Sequence, residues 1–425
     1  MALVISVETF PALRIPVQTL PPATVMAAIT LPLVYLRAQP KKSRPLWALM
    51  AFLCWALLIS LVGLLWDLNV SEAPPFRLIA FLRQAVGLLL GLSVFLVGRR
   101  IAAAVPLRRL MLFMVWGTIP SIAVGILEAV SIVTGSSRLT AILEFGRRFL
   151  VPSGYLDVAR VSGLSSEPSH YGFFAGAFAL PVLFASWRTQ LIHRGWLLLL
   201  LGALLASVLY TNSTVSLFAV YVFLLLSAVL GPARKLAVAL SLVLTVALAA
   251  VVASGGGWYL TYQIGAIAGG SPTVSFTTRA FSTLGPVLAL RENPWGAVGF
   301  GLGGVSTHYQ DILSEDVAQQ MGEVSREGIP ALKTLWGKVI AETGIVGALL
   351  FGVFVVASMG SAVRTSRMAR DHGLVYGGRL IALGIVTCAL VQAVGFGAYT
   401  FPYLWLWAGL GDGVWTLTRA RQRIC

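Results

Sequence analysis

Long apolar runs divided by short basic connections are the feature that most constrains how this chain folds. Each run holds about 20 residues, the length of a helix that crosses the hydrocarbon core of a bilayer. Lipid offers no partners to backbone amides, so such runs must be helical. Charged residues make up 11% of the chain, whereas soluble domains hold about 25%. The sequence therefore predicts an all-α polytopic membrane protein.

The runs predict eleven spans, and residues 1–17 leave room for a twelfth. The predicted spans lie near 19–36, 46–66, 77–98, 110–132, 169–186, 196–211, 215–230, 236–253, 335–358, 378–397 and 401–418. Alternate connections carry most of the 31 lysines and arginines. The positive-inside rule therefore places these connections and the C-terminus on the cytoplasmic side of a bacterial inner membrane. The net charge of +15 then follows from topology, and no nucleic-acid partner is expected. With eleven spans, the N-terminus lies outside.

The whole chain, 1–425, is predicted to form a single integral-membrane domain with two long outward connections. These are a first periplasmic loop at 134–168 and a large periplasmic loop at 254–334. Connections of this length are uncommon unless they are functional or disordered. The large loop is expected to contain short helices on the membrane surface, because it has apolar residues at helical spacing. That stripe consists of Phe276, Ala280, Phe281, Leu284, Val287 and Leu288.

One candidate functional segment covers residues 160–172, which lead into a predicted span and form its first residues. Pro168 suits the first turn of a helix whose free amides and positive dipole end favour anions. Arg160, Glu167, His170 and Tyr171 surround this corner. The alternative is a capped helix start with side chains that anchor it at the interface.

Two further stretches lie in and after the large loop. Arg279 and Arg291 precede a glycine-rich segment at 296–304, where glycines permit close backbone approach to a ligand or to another helix. Lys333 and Lys338 begin a later span, and Lys338 shares a helix face with Glu342, four residues on. The alternatives are a tight turn with helix packing, and an ion pair beside a lysine that extends to the interface.

Metal-ligand and cofactor patterns are absent from the sequence. It has no Asp-x-Asp pair, no His-Glu-x-x-His motif, no Gly-x-Ser-x-Gly elbow and no phosphate-binding loop of the Gly-Lys-Ser/Thr kind. The three cysteines are scattered, without metal-ligand spacing. No metal and no cofactor are expected.

The three stretches together resemble the O-antigen polymerase and ligase family of membrane glycosyltransferases, over residues 105–415. Arg160-Val-Ser-Gly-Leu-Ser-Ser-Glu-Pro is similar to the family's Arg-x-x-Gly…Glu-Pro segment. Asn293-Pro-Trp-Gly-Ala-Val-Gly-Phe-Gly is similar to its Asn-Pro-x-x-Gly-x-Gly-x-Gly turn, with Arg279 at the place of an upstream arginine. Glu342-Thr-Gly-Ile-Val-Gly resembles its Glu-x-Gly-x-x-Gly motif.

The resemblance implies a GT-C-like fold and a polymerase of undecaprenyl-pyrophosphate-linked oligosaccharide repeats. Donor and acceptor glycans, membrane lipid, and a chain-length regulator and a flippase are the partners that it implies. Arg160 and Arg279, with Arg291, would hold the pyrophosphate, and Lys333 or Lys338 would assist. Glu167 or His170 would accept the proton of the attacking hydroxyl.

Two other activities stay open. Ligases of this family carry a histidine where this chain has Leu332, followed by Lys333 and Thr334, which favours the polymerase. His308 is a candidate substitute, so a ligase that passes glycan to lipid A core or another acceptor is one alternative. A flippase or transporter of lipid-linked glycan is the other. The polymerase hypothesis expects Arg160 and Arg279 to converge on one cavity that a polyprenyl tail can reach from the membrane.

Overall fold

A computed structural model shows a helical protein. It describes residues 14–15, 18–19, 22–35, 42–70, 76–148, 160–254, 261–262, 265–266, 269, 274–292, 297–306, 308, 312, 332–369 and 371–422. Two short strands near the start, β1 (Arg14–Ile15) and β2 (Gln18–Thr19), pair antiparallel. All other elements named below are helices.

The helices follow the apolar runs, and each predicted span coincides with one of them. They are α1 (Pro22–Tyr35), α2 (Arg44–Val70), α3 (Phe76–Ala104), α4 (Leu107–Thr134), α5 (Ser137–Arg148), α6 (Pro168–Thr189), α7 (Arg194–Leu209), α8 (Thr214–Leu230), α9 (Arg234–Ala253), α10 (Val274–Glu292), α11 (Leu335–Met368), α12 (His372–Val394) and α13 (Pro402–Gln422).

Seven helices of the described part are long and apolar enough to cross a membrane, namely α2, α3, α4, α6, α9, α11 and α12. Shorter apolar helices lie at Ala23–Pro32 in α1, at α7 and at α8. The prediction of an all-α, multi-pass membrane architecture is therefore confirmed. Glu167, Arg279 and Lys333, which are described residues in or beside the two long connections, lie close together at one end of the bundle, called here the loop end. The opposite end, which contains Lys42, Arg44, Arg364 and Arg419, is called the basic end.

Burial separates the centre of the bundle from its rim. The most apolar stretch of α6 is 94% buried, whereas that of α9 is only 11% buried. Aromatic rings of α6 and α13 fill the centre: Phe178 stacks on Tyr403 at 5.8 Å between ring centroids. Large apolar side chains on the rim are exposed, Leu65 by 60% and Val246 by 69%. An apolar exterior of this kind is suited to lipid.

A widened π turn at Ala175–Ala179 interrupts the middle of α6. Pro181 follows, and a proline has no N–H to donate to the carbonyl four residues earlier, which belongs to Ala177. The indole of Trp407 in α13 donates to that carbonyl instead, at 2.7 Å. The proline thus accounts for the unused carbonyl, and the carbonyl ties α6 to α13.

The two long connections contain α5 and α10. In α10 most of the apolar stripe faces outward, with Phe276 exposed by 49% and Leu284 by 54%. Phe281 instead packs inward against a small apolar cluster that contains Phe300 and Leu332. The polar face packs inward: Ser282 and Thr278 are buried. Helix α10 therefore presents its apolar side away from the protein, as expected for a helix that contacts lipid.

Candidate functional site

The glycine segment after α10 is held against the first turns of α11. The amide of Gly301 donates to the carbonyl of Glu342 at 2.9 Å, and the amide of Gly303 donates to the Glu342 carboxylate at 3.0 Å. Gly344 has φ +65° and ψ −168°, a conformation that essentially requires glycine. A Cβ on Gly299 would lie 2.5 Å from the Gly344 nitrogen. The second and third motifs therefore pack against each other as one unit.

Charged side chains complete this unit, called here the glycine-turn clamp and defined by Asp67, Arg77, Glu342 and residues 299–304. Arg77 is 1% exposed and donates to Asp67 at 2.7 Å, and it also donates to the carbonyls of Leu302 and Phe300, at 2.8 and 3.0 Å. A structural role thus explains this arginine, which is buried at the loop end.

His308 lies against the clamp. Its Nε2 lies 3.0 Å from the second carboxylate oxygen of Asp67, and its ring stacks on Phe300 at 4.9 Å. The structure therefore places His308 beside the turn that carries the second motif. Its predicted part in substrate binding stays a prediction.

Lys338 lies next to the clamp, on the face of α11 that points towards α3. Its ammonium donates to Gln84 at 2.5 Å and lies 5.1 Å from the ring centroid of Tyr399. The Tyr399 hydroxyl donates in turn to the Glu342 carboxylate at 3.0 Å. Lys338 and Glu342 share one face, as their spacing predicts, with Tyr399 bound to both.

A second group of charges at the loop end consists of Glu167, His170, Arg279 and Lys333, and is called here the charged cluster. Burial by itself would raise the pKa of the Glu167 carboxyl, but the charges of His170, Lys333 and Arg279, with a hydrogen bond from Ser169, hold that pKa below its usual value. Residues from the first motif, the large loop and the third motif, far apart in sequence, are thus brought together.

The pKa of Lys333 in the cluster is lowered, whereas an acidic partner would raise the pKa of a lysine at the surface. Burial lowers the pKa of the Lys333 ammonium, Glu167 opposes the change, and Arg279 reinforces it. Two cations therefore stand beside one carboxylate and one imidazole. An additional anion in this place would relieve the repulsion between the cations.

Hydrogen bonds between the connecting segments fix the cluster. The Lys333 amide donates to the Ser282 hydroxyl at 2.9 Å, and Thr334 donates to the carbonyl of Ser282 at 3.1 Å. Thr283 donates to the carbonyl of Ala393 at 2.9 Å. A Cβ on Gly337 would overlap the Ser282 carbonyl, so α10 can approach α11 this closely only because of that glycine. The backbones that carry Arg279 and Lys333 are therefore held in register.

His170 is positioned from α6 by aromatic packing. Its Nδ1 lies 3.0 Å from the Ser166 hydroxyl, and its ring meets Phe401 edge-on at 5.1 Å and Phe396 at 5.4 Å. Since α6 begins at Pro168, Glu167 occupies its N-cap position and shares a face with His170. The start of α6 thus supplies a carboxylate and an imidazole to the cluster.

A largely apolar cavity of about 470 Å³ adjoins the cluster through Arg279. The cavity lies between α8, α10 and the end of α12. Its lining consists of Thr214, Val215, Phe218, Phe276, Arg279, Ala280, Thr283, Leu284, Ala393 and Val394. Arg279 is the charged member of this lining, and the same residue lowers the pKa of Glu167.

Arg160 lies elsewhere. It lines a small cavity with Glu128 and Arg147, whereas Arg279 lines the apolar one, so the cavities described here do not unite the two arginines as expected. Glu128 accepts hydrogen bonds from the amides of Ser162 and Gly163, both at 2.7 Å, and this buries the segment that follows Arg160. The segment therefore folds towards α4.

Tyr171 also falls outside the cluster. Tyr171 is fully buried, and its hydroxyl lies 2.6 Å from that of Ser207. It packs between α4 and α7 because neighbouring residues on a helix point about 100° apart, so Tyr171 cannot share the direction of His170. Arg291 lies in the last turn of α10, and its side chain is outside the described residues.

Comparisons with known proteins leave the family open: no family model matches the chain, and neither does a curated protein or a solved structure. Within the described ranges, no group of three or more His, Cys, Asp or Glu side chains is arranged to hold a metal ion. The fold defines the class of the protein, which is a multi-pass α-helical membrane protein.

Proposed function

We propose that this protein is a bacterial inner-membrane glycosyltransferase that polymerises undecaprenyl-pyrophosphate-linked oligosaccharide repeats at its loop end. The proposal rests on the position of Arg279, which lines an apolar cavity and also belongs to the charged cluster. A lipid pyrophosphate has the same two-part character, with an apolar tail joined to concentrated negative charge.

The topology that we propose uses all eleven spans, with α1, α7, α8 and α13 crossing beside the seven longer helices, in a GT-C-like arrangement. The basic end then faces the cytoplasm and the loop end faces the periplasm. No nucleotide is available on that outer side, so the energy for glycan transfer must come from the donor. A lipid pyrophosphate supplies it, since the pyrophosphate is the leaving group.

The tail would lie in the apolar cavity, where Phe276 and Leu284 of the lipid-facing side of α10 form part of the wall. Lipid can reach a wall of this kind laterally from the bilayer. The phosphates would then meet Arg279, whose planar guanidinium binds phosphate through two hydrogen bonds. Lys333 provides the second positive charge.

In the transfer step, an acceptor hydroxyl forms a new bond to the sugar C1 while the bond from C1 to the pyrophosphate oxygen breaks. Negative charge develops on the departing pyrophosphate, and Arg279 and Lys333 are placed to stabilise it. The hydroxyl proton must pass to a base. A pKa held low makes the Glu167 carboxylate a weak proton acceptor. We therefore assign the proton to the neutral imidazole of His170, and we assign to Glu167 the stabilisation of the imidazolium that forms.

The donor test is reconstitution of purified protein with a defined lipid-linked repeat, followed by sizing of the products. Arg279→Ala should lower the rate of polymer formation about 100-fold or more, because it removes a group that stabilises transition-state charge. Arg138→Ala is the matched control, since Arg138 is an exposed arginine at the same end. Equal rates for Arg279→Ala and wild type would remove Arg279 from the mechanism.

A deletion strain separates the polymerase from the two alternatives. Single repeats that accumulate on lipid at the periplasmic face support the polymerase. Long polymer that never reaches lipid A core would instead indicate a ligase. Repeats stranded on the cytoplasmic leaflet would indicate a flippase, and either of these last two results would overturn the proposal.

A further inference from the structure

A large cavity of about 790 Å³ opens at the basic end, opposite the charged cluster. It lies between the first turn of α2 and the last turns of α11 and α13. Four cations and two tryptophans dominate its lining, which consists of Lys42, Ser43, Arg44, Trp47, Ser361, Arg364, Trp415, Thr416, Arg419 and Ala420. No carboxylate is part of this lining, so the cavity concentrates positive charge.

The described carboxylates at this end do not neutralise these cations. Among the residues that the structure describes, two acidic ones lie at the basic end, Asp371 and Asp412. Asp412 is 0% exposed and is bound by Arg99 at 2.7 Å and by the Ser43 hydroxyl at 2.6 Å. Asp371 accepts a hydrogen bond from the Gly373 amide at 2.8 Å, as the cap of α12. Both are thus occupied by structural roles.

The tryptophans place the cavity at the depth of lipid headgroups. Lys42 lies 6.0 Å from the ring centroid of Trp47, and Arg364 lies 6.0 Å from that of Trp415. Tryptophan is enriched at the boundary between membrane and water. Trp47 is also 61% exposed and begins an outward apolar face of α2, which continues through Leu57 and Leu61. An acyl chain has a surface to follow from the cavity into the bilayer.

We propose that this cavity binds the phosphate headgroup of an anionic phospholipid, whose acyl chains lie along α2. The cations supply the charge for a phosphodiester, and basic pockets between membrane helices on the cytoplasmic side are suited to such headgroups. A lipid bound here joins the start of α2 to the ends of α11 and α13. The inference does not depend on the activity proposed for the loop end.

The test compares lipid binding to delipidated protein in detergent by native mass spectrometry. Phosphatidylglycerol should bind in preference to phosphatidylcholine. The double variant Arg364→Gln/Arg419→Gln should weaken phosphatidylglycerol binding roughly 25-fold, since each basic residue near an anionic headgroup contributes about a factor of five. Arg108→Gln/Arg109→Gln is the matched control, because these arginines are exposed at the same end but do not line the cavity.

Equal phosphatidylglycerol binding by the two double variants would overturn the proposal. A site for a soluble anion would also overturn it, and would be recognised if millimolar inorganic phosphate displaced the lipid completely. Thermal unfolding without added lipid serves as the check on folding. Both double variants should match wild type there, since all four arginines are exposed.

Discussion

The glycine-turn clamp and the charged cluster lie at the same end of the molecule and both combine carboxylates with cations, yet they differ in how those charges are satisfied. In the clamp, Glu342 and Asp67 each accept hydrogen bonds from named protein groups, and Arg77 is enclosed by carbonyls. In the cluster, the side chains of Glu167 and Lys333 are half-buried, and Arg279 lines a cavity. Completed charge networks hold architecture together, whereas incompletely enclosed ones can receive a ligand.

The largest loss of stability should come from a substitution in the clamp. Asp67→Ala leaves the buried Arg77 without its carboxylate, and breaking a buried pair in this way costs about 3–5 kcal/mol. The free energy of unfolding in mixed micelles measures the loss. A change below about 1 kcal/mol would show that the pair is solvated like a surface ion pair, and the comparison would fail.

The backbone of the clamp provides the next test. Gly344→Ala should destabilise the protein by about 3 kcal/mol, because the conformation is strained for alanine and its Cβ would overlap the Ala297 carbonyl. Gly352→Ala, in the same helix and with open space around it, is the control. That control should gain up to about 1 kcal/mol from helix propensity. Similar results for both variants would contradict the packing described here.

The cluster should respond in activity and not in stability. Glu167→Gln should lower the rate of glycan transfer about 100-fold, while the unfolding midpoint stays near that of wild type. Reconstituted polymer synthesis and thermal unfolding are the two measurements. The expectation is wrong if the variant loses folded protein in proportion to activity, since Glu167 would then belong with Glu342.

The smallest effect is a shift in pH dependence. The Lys333 ammonium has a lowered pKa, so its charge is lost as pH rises through that value and the alkaline limb of activity begins below the usual lysine range. Lys333→Arg keeps the charge to a pH of about 12 and should move the alkaline limb upward, with little change near neutrality. An unchanged profile would exclude the Lys333 charge from phosphate binding.

Sequence predicts the helices well and the site only in part. The spans can be predicted because each one is a continuous apolar run in the sequence. The composition of the run alone indicates that it lies in lipid. Glu167 and His170 could be paired in advance, since they are three residues apart at a helix start. Spacing alone does not exclude Tyr171, which is four residues from Glu167; its burial between α4 and α7 appears only in the structure. The expected union of Arg160 with Arg279 depended on chain folding between residues 160 and 279, which carries no local signal.

The packing of the glycine segment against Glu342 could not be predicted either, although both motifs are easily recognised in the sequence. Its signal lies in the glycines at 299, 301, 303 and 344, all of which have positive φ. Several such glycines in two segments indicate that two backbones meet without side chains between them. Pattern can suggest that contact but cannot say which segment is the partner.

The widened turn in α6 sets the rotational phase of everything that precedes it. Each residue advances an α-helix by about 100°, so deleting Ala175, at the outer end of the π turn, would regularise the helix and turn the part that precedes it by that angle. The aromatic centre around Phe178 would stay in place, while the imidazole of His170 would be aimed away from Glu167's neighbours on α10 and α11. The direction of the first motif is therefore encoded about two turns below it, in the offset that the π turn introduces.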